Sequence, residues 1–228
     1  MTKGFVIAID GPVASGKGTL ASALSKELNG FYLYTGAMYR SVALLCIERG
    51  LDLENEKDAE SVLPDLNIEF KNDKVLLNGK DVTDRLKEPD TASGSSVVGV
   101  FPKVREKSVA LQRKVAGEFE SKGLIVVAEG RDMGTTVFPA SPLKIYLKAR
   151  PEIRAMRRME QFVKEDKDLQ KELKELIVRD TRDQQRETSP LPVNPEELGY
   201  FVVDNSDMRE DQTVSVIKKE LVSRGLIK

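Results

Sequence analysis

A glycine-rich stretch directly follows an apolar run near the start of the chain. Residues 11–20 read GPVASGKGTL and come after FVIAID at 5–10. In a strand–loop–helix context, backbone N–H groups of such a loop point at phosphate oxygens, and a lysine after the second glycine reaches the outer phosphates. Glycines alone would also fit a purely structural turn, but Lys17 placed directly after Gly16 favours a loop that binds a nucleotide phosphate.

The residue after this lysine departs from the usual pattern. Gly18 stands where serine or threonine commonly offers a hydroxyl to magnesium. Thr19 could supply that hydroxyl from the next position, or a water molecule could do so. We therefore expect Mg²⁺ to accompany the bound nucleotide, with Thr19 as the candidate ligand.

The composition excludes several classes of function. The chain has 228 residues, which fits one domain or one domain with an insertion. Its 36 basic and 37 acidic side chains argue against a general nucleic-acid or membrane binder. It has no histidine and one cysteine, which excludes histidine triads, histidine metal sites and an intramolecular disulfide. No leader-like start and no membrane-length apolar run occur, so a cytoplasmic protein is expected.

Apolar runs alternate with helical patterns along most of the chain, which predicts an α/β fold. Five runs read as buried parallel strands: 5–10, 31–34, 124–128, 143–148 and 200–204. The gap between the second and third runs is longer than one crossover helix needs, which indicates an insertion. Within it, residues 66–86 predict a small antiparallel meander with turns at Asn72-Asp73 and Asn78-Gly79. Residues 165–187 predict a charged helix that leads into a proline-rich linker.

Arginines concentrate near the predicted charged helix despite the nearly neutral total charge. In RDTRDQQR, positions 179, 182, 183 and 186 fall on one helical face. Such a face is often only a solvated, salt-bridged surface. In a chain with a phosphate loop, it also fits the cationic stabilisation that phosphoryl transfer requires. The seven arginines concerned are Arg150, Arg154, Arg157, Arg158, Arg179, Arg182 and Arg186.

Rival classes of phosphate-loop protein are less well matched. A GTPase switch would need a guanine-reading Asn-Lys-x-Asp, which does not occur. A nucleic-acid motor would want a basic surface and stacking aromatics, whereas the chain has no tryptophan and 6% aromatic residues. A small-molecule kinase remains the best interpretation. Another small-acceptor kinase, or a nucleotide-binding switch without transferase activity, stays open as an alternative.

Three further motifs, taken with the phosphate loop and RDTRDQQR, carry a resemblance to a known family. They are YTGAMYR at 34–40, FPKVRE at 101–106 and EGRDMGT at 129–135. The five motifs occur in order over essentially the whole chain, which resembles bacterial-type cytidylate kinase (CMP/dCMP kinase).

The resemblance implies ATP-dependent phosphorylation of CMP and dCMP to the diphosphates with release of ADP. It implies a nucleoside-monophosphate-kinase fold, a five-stranded parallel sheet flanked by helices, with a small β-containing insertion and a helical lid. The expected divisions of this single kinase domain are a core at 1–62, 97–164 and 188–228, a CMP-binding insertion at about 63–96 and a lid at about 165–187. The partners would be ATP and CMP or dCMP, with Mg²⁺ as cofactor, no nucleic acid, no membrane, and a monomeric chain.

The resemblance also implies roles for individual residues. Arg40, Arg131 and Arg186 would clamp the acceptor phosphate beside Thr35, and Lys17, Arg131 and Arg186 would be catalytic. Ser96, Arg105 and Asp132 would read cytosine, and Arg179 with Asp183 would bind the sugar. ATP would contact Gly11, Pro12, Val13, Ala14, Ser15, Gly16, Lys17, Gly18 and Thr19, together with Arg157 and Arg158.

Some of these residues have ordinary structural alternatives. Asp132 could cap a helix, and Arg105 with Glu106 could form a surface ion pair. Tyr34 and Glu129 stand where many relatives carry aspartate, and neither receives a role.

Overall fold

The computed structural model describes residues 4–71, 74–161 and 168–228. In chain order, its elements are β1 (Val6–Asp10), α1 (Lys17–Glu27), β2 (Phe31–Tyr34), α2 (Gly36–Glu48), α3 (Glu56–Ser61), β3 (Ile68–Lys71), β4 (Lys74–Leu77), β5 (Lys80–Asp81), α4 (Pro89–Val98), α5 (Pro102–Glu120), β6 (Val126–Glu129), β7 (Leu143–Lys148), α6 (Pro151–Gln161), α7 (Leu169–Gln185), β8 (Phe201–Asp204) and α8 (Glu210–Ser223). A short π-helical turn spans Met133–Val137.

Five strands form a parallel sheet in the order β2-β6-β1-β7-β8. The central strand β1 pairs through Val6 with Val126 on one side and through Ile7 with Leu143 on the other. Every residue of β1 is buried, as expected for a strand covered on both faces. The predicted α/β fold class and its five strands are confirmed, with strand ends displaced by at most two residues.

Helices α1 and α8 cover part of this sheet with apolar side chains. Leu20 and Leu24 of α1 and Ile217 of α8 belong to the same buried cluster as Ile7 and Ile145. Burying a leucine or isoleucine side chain contributes about 1.5–3 kcal/mol relative to leaving it exposed. The sheet is thereby fixed at its centre, where β1 leads directly into the phosphate loop.

The chain divides into two compact units, one formed by residues 34–114 and the other by the remainder. In the smaller unit, α2 packs against α4, and β3, β4 and β5 form an antiparallel sheet. Asn78 and Gly79 both have positive φ, 52° and 79°, which suits the tight turn that joins β4 to β5. The predicted meander is confirmed, although its turn at 72–73 lies outside the described residues.

The predicted insertion at 63–96 falls inside the smaller unit, and its boundaries remain a prediction.

The charged segment predicted at 165–187 contains α7. Asp168 caps its start, since the side chain accepts a hydrogen bond from the Gln170 N–H at 2.9 Å. The helix ends at Gln185, so Arg186 lies just beyond it in an extended conformation and not on the helical face that the spacing predicted. Residues 165–167 lie outside the described part of the chain. Among the described residues, no helix is both long and apolar enough to cross a membrane.

Candidate active site

Glycines shape the loop between β1 and α1. Gly11 has φ +149°, and a Cβ there would lie 2.1 Å from the Leu147 carbonyl oxygen, so only glycine fits. Gly16 has φ +91° at the residue that precedes α1, a conformation that side chains rarely adopt. These conformations explain the glycine spacing and place the first N–H groups of α1 at the loop.

Lys17 lies folded into this loop and is 4% exposed. Its Nζ donates a hydrogen bond to the Pro12 carbonyl oxygen at 2.7 Å and lies 3.4 Å from Ser15 Oγ. Burial, followed by the positive charge of Arg131, lowers the pKa of Lys17 to about 7, although Glu129 and other nearby carboxylates oppose the shift. An incoming phosphate would stabilise the protonated lysine by supplying a counter-charge.

Residues from α6 and from the end of β8 support the loop from outside. Asn205 Nδ2 donates to the Ser15 carbonyl oxygen at 3.0 Å. Arg157 approaches the same oxygen at 3.4 Å and donates to the Asn205 carbonyl oxygen at 2.8 Å. The expected ATP ligand Arg157 therefore lies at the loop. Asn205 was not identified from the sequence, although its place after the carboxyl end of a strand is a signal for such sites.

A buried ion pair joins α6 to α7 beside the same loop. Arg154 lies 2.6 Å from Asp180 and donates to the Val13 carbonyl oxygen at 3.0 Å. The Val13 N–H in turn donates to Asp180 at 3.3 Å. The sequence places Arg154 in the arginine cluster but predicts a role for neither Arg154 nor Asp180. The charge run was the available signal, but spacing alone could not show which carboxylate reaches the loop.

The second expected ATP ligand of α6, Arg158, has other neighbours in this structure. Its guanidinium lies 3.0 Å from Glu172 and 3.5 Å from Glu175, both on α7. The two arginines to which the family resemblance gives the same role therefore have different environments. Arg157 contacts the loop, whereas Arg158 pairs with α7.

The motif after β6 meets α7 through a buried pair. Arg131 Nε donates to the Asp183 carboxylate at 2.6 Å, and Asp183 is 8% exposed. Burial raises the pKa of Asp183. The charge of Arg131 and the hydrogen bond that it donates lower this pKa, as do the charges of Arg179 and Arg186. These effects outweigh burial, so the pKa lies below its ordinary value. The structure thus brings four of the predicted acceptor-site residues into one charged cluster.

Asp132 and Arg186 extend this cluster. The Arg186 guanidinium lies 3.7 Å from the Asp132 carboxylate, and its Nε donates to the Ser189 carbonyl oxygen at 2.6 Å. The Asp132 side chain makes no capping hydrogen bond to the turn that follows it, so the helix-cap alternative is not supported. We refer to Arg131, Asp132, Arg179, Asp183 and Arg186 as the arginine–aspartate cluster.

The other predicted acceptor-site residues lie in the smaller unit and are described within it. Arg40 donates to the Leu86 carbonyl oxygen at 2.6 Å, with its guanidinium over the Tyr34 ring. Arg105 is buried and approaches the Gly99 carbonyl oxygen at 3.2 Å. Thr35 is buried at the residue that precedes α2, and Ser96 Oγ donates to the Ser93 carbonyl oxygen at 2.8 Å. Because Arg105 is buried, it is not the surface ion-pair residue that the alternative described.

The described part of the chain does not provide a metal cage of its own. Among the described residues, no three aspartate, glutamate or cysteine side chains are grouped so that they could hold an ion. Thr19 is exposed and lies among the residues of α1 and α8 that line a groove. Thr19 as a ligand of magnesium, directly or through water, stays a prediction.

Comparison with known proteins assigns the family. The model of the family described as cytidylate kinase matches residues 7–223. The chain belongs to the cytidylate kinase family. A cytidylate kinase from Azotobacter vinelandii is 39% identical over 229 residues, with 97% of this chain and 96% of the relative covered. One from Solibacter usitatus is 41% identical, with 98% and 96% covered.

Solved structures with low sequence identity share the fold of this cytidylate kinase family member. A crystal structure of an uncharacterized protein from Eubacterium ventriosum superposes with a TM-score of 0.55 at 15% identity and covers 97% of this chain and 99% of its own. The protein TT1252 from Thermus thermophilus gives a TM-score of 0.50 at 17% identity, with 97% and 98% covered. At these identities the likeness concerns the fold alone.

Proposed function

We propose that the chain transfers the terminal phosphoryl group of ATP to the phosphate of CMP and dCMP, which yields the diphosphates and ADP. The observation that carries the proposal is the neighbourhood of Lys17. This phosphate-loop lysine lies close enough to Arg131 for the arginine to lower its pKa, and Arg131 belongs to the arginine–aspartate cluster. Family membership and a cationic site next to a phosphate loop both favour phosphoryl transfer.

The chemistry of the acceptor suits a chain without histidine. A phosphate monoester is already anionic at neutral pH and needs no general base to attack. The barrier comes largely from repulsion between two anionic reactants. Lys17 would offset the donor charge, and Arg131 with Arg186 would hold the acceptor phosphate in line, so that positioning and electrostatics supply most of the acceleration.

In this structure, carboxylates pair with the cations that would meet phosphate. Arg131 pairs with Asp183, and Arg186 lies near Asp132. An acceptor phosphate would attract the guanidinium groups in bidentate fashion, which leaves Asp183 able to accept from sugar hydroxyls and Asp132 from the base.

The remaining roles stay as the family resemblance implies. Arg40 and Thr35 would assist at the acceptor phosphate, Ser96 and Arg105 at cytosine, and Arg179 at the sugar. Arg157 and Arg158 would assist at the ATP phosphates. Since Arg158 pairs with Glu172 and Glu175 in this structure, its role requires those pairs to open. Mg²⁺ would arrive with ATP, and a monomeric, cytoplasmic enzyme remains the expectation.

The direct test measures ADP release over a panel of nucleoside monophosphates with ATP and magnesium. We expect rapid turnover with CMP and dCMP, much slower turnover with UMP, and none with purine monophosphates. Lys17→Met provides the matched inactive control, because it keeps the aliphatic stem and removes the charge. ATP binding without acceptor-dependent ADP release would indicate a switch, and turnover with a different acceptor would indicate another small-molecule kinase.

A further inference from the structure

A buried carboxylate outside the site described above lies at the carboxyl end of β1. Asp10 is fully buried, and one of its oxygens accepts a hydrogen bond from the Met133 N–H at 2.8 Å. The other accepts from the Gly134 N–H at 2.8 Å and from the Tyr200 hydroxyl at 2.7 Å. Three donors therefore converge on one side chain that has no assigned role.

The two N–H groups belong to the backbone that directly follows Arg131 and Asp132. Gly130, at the start of the same segment, donates its N–H to the Ile9 carbonyl oxygen at 2.8 Å. The segment is thus tied at both ends to consecutive residues of β1. Its far end is also sterically confined, since a Cβ on Gly134 would lie 2.7 Å from the Tyr200 hydroxyl.

We propose that Asp10 is a positioning residue, which holds residues 130–134 so that Arg131 and Asp132 project towards the acceptor nucleotide. The inference rests on the proposed function, because it presumes that these two side chains meet CMP. Asp10 itself touches no reacting atom in this scheme. It acts by fixing the backbone from which Arg131 and Asp132 extend, and small misplacements of such groups are costly in rate.

The electrostatics of Asp10 agree with this role. Burial raises its pKa to about 6, and hydrogen bonds from Gly134, Met133 and Tyr200 limit the rise, while the Asp132 charge adds to it. Asp10 also interacts electrostatically with Lys17 and Tyr146. The carboxylate is therefore ionised at pH 7 although its ionisation opposes folding. An apolar residue would avoid that cost but could not accept three hydrogen bonds.

The Asp10→Asn variant tests the geometry with little change in volume. An amide offers one acceptor oxygen, so its NH₂ group would face either the Met133 N–H or the Gly134 N–H, and one of the two would lose its acceptor. We expect kcat with CMP to fall by up to about 100-fold, a larger change than that in the KM for ATP, which the loss of the Asp10 charge near Lys17 would also affect. The ratio of CMP turnover to UMP turnover should fall, because Asp132 is displaced together with Arg131.

A double-mutant cycle with Arg131→Ala separates positioning from general destabilisation. If Asp10 acts through Arg131, the loss caused by Asp10→Asn should shrink in the Arg131→Ala background. Ser141→Ala is the matched control, because it removes hydrogen bonds to the Val6 and Leu143 carbonyl oxygens elsewhere on the same sheet and should leave the kinetics unchanged.

Tyr200→Phe keeps the role testable if Asp10→Asn fails to fold. Loss of the hydroxyl removes an interaction that lowers the Asp10 pKa, so the acid limb of the kcat profile should move to higher pH. An unmoved acid limb, wild-type CMP kinetics in a folded Asp10→Asn protein, or fully multiplicative losses in the cycle would each overturn the positioning role. Failure of the wild-type protein to phosphorylate CMP would instead overturn the proposed function on which the role depends.

Discussion

At the scale of single residues, Lys17 is a buried amine whose protonated form is disfavoured by burial. Its pKa of about 7 in the folded chain lies well below the 10.5 of an unperturbed lysine. Between these values the unfolded chain binds a proton that the folded chain does not, so stability falls as the pH decreases from 10.5 towards 7. The residue that serves phosphate binding therefore weakens the empty protein at neutral pH.

This titration predicts that ATP binding takes up a proton. At pH 8 Lys17 is mostly neutral in the empty protein, and the phosphates would restore its charge, so uptake should approach about one proton per ATP. Calorimetry of ATP binding in buffers of different ionisation enthalpy measures this number. The difference from Lys17→Met isolates the lysine from the titration of ATP itself. Equal proton uptake by the wild-type and Lys17→Met proteins would contradict the assignment of this proton to Lys17.

Asp132 carries the second prediction, which concerns choice of base. Cytosine presents an amino donor at the position where uracil presents a carbonyl oxygen. An ionised Asp132 would accept from the amino group of CMP and would repel the carbonyl of UMP, and unpaired buried polar groups are costly. Asp132→Ala should therefore lower kcat/KM for CMP and reduce the ratio of kcat/KM for CMP to kcat/KM for UMP.

The measurement is kcat/KM for both nucleotides in wild-type and variant proteins, with kcat/KM for ATP as the control. A variant that retained the full CMP preference would show that other residues select the base, while phosphoryl transfer itself would be unaffected by that result.

At the scale of elements, α6 and α7 are joined by ion pairs of very different burial. The side chains of Arg154 and Asp180 are 6% and 14% exposed, whereas those of Arg158 and Glu175 are 21% and 47% exposed. Removing one partner of a buried pair typically costs about 3–5 kcal/mol because the other charge is left uncompensated. An exposed pair contributes about 0–1 kcal/mol.

Asp180→Ala should therefore release α7, whereas the matched Glu175→Ala should not. Hydrogen exchange over residues 169–185 is the measurement, and we expect markedly lower protection in the first variant and near-wild-type protection in the second. The loss of protection should be smaller when Arg154→Ala is added to Asp180→Ala, since the uncompensated arginine charge is then absent. Equal protection in both single variants would show that apolar packing, not the buried pair, holds the helix.

The elements were predictable from sequence to the extent that their signals are local. The apolar run at 5–10, the glycine spacing after it and Asn78-Gly79 each follow from short-range rules, and the strands and the turn appear as those rules require. The end of α7 shows the limit. Helical spacing placed Arg186 on the helix, but the chain turns extended there, and the Arg186 side chain bonds to Ser189 instead.

Residues whose roles depend on distant partners were missed for a physical reason. Asp10 meets Met133 across 123 positions, Asp180 meets Val13 across 167, and Asn205 meets Ser15 across 190. Each is an ordinary polar residue in its local sequence. Only the topology of the sheet and the docking of α7 bring these partners together. Neither can be inferred from the spacing of residues along the chain.

At the scale of the whole molecule, charge balance predicts an absence of nucleic-acid affinity. The formal net charge is −1, so the phosphate sites are local and no extended basic surface is expected to follow a polynucleotide backbone. Fluorescence anisotropy with a labelled single-stranded 30-mer at about 0.15 M salt should show no binding at micromolar protein. Binding of free CMP and ATP in the same buffer is the positive control for an active protein. Salt-sensitive binding of the oligonucleotide would contradict this prediction.

The strand order has a consequence for how the protein is made. The central strand β1 pairs with β6 and β7, which begin at Val126 and Leu143. At synthesis rates of about 5–20 residues per second, roughly 6–25 s pass between the emergence of β1 from the ribosome and that of its first neighbour. During that interval the nascent chain exposes the apolar run at 6–9 with neither strand edge paired. The phosphate loop, joined directly to this strand, therefore cannot take its final shape until more than half of the polypeptide has been translated, and chaperones have the intervening time to bind it.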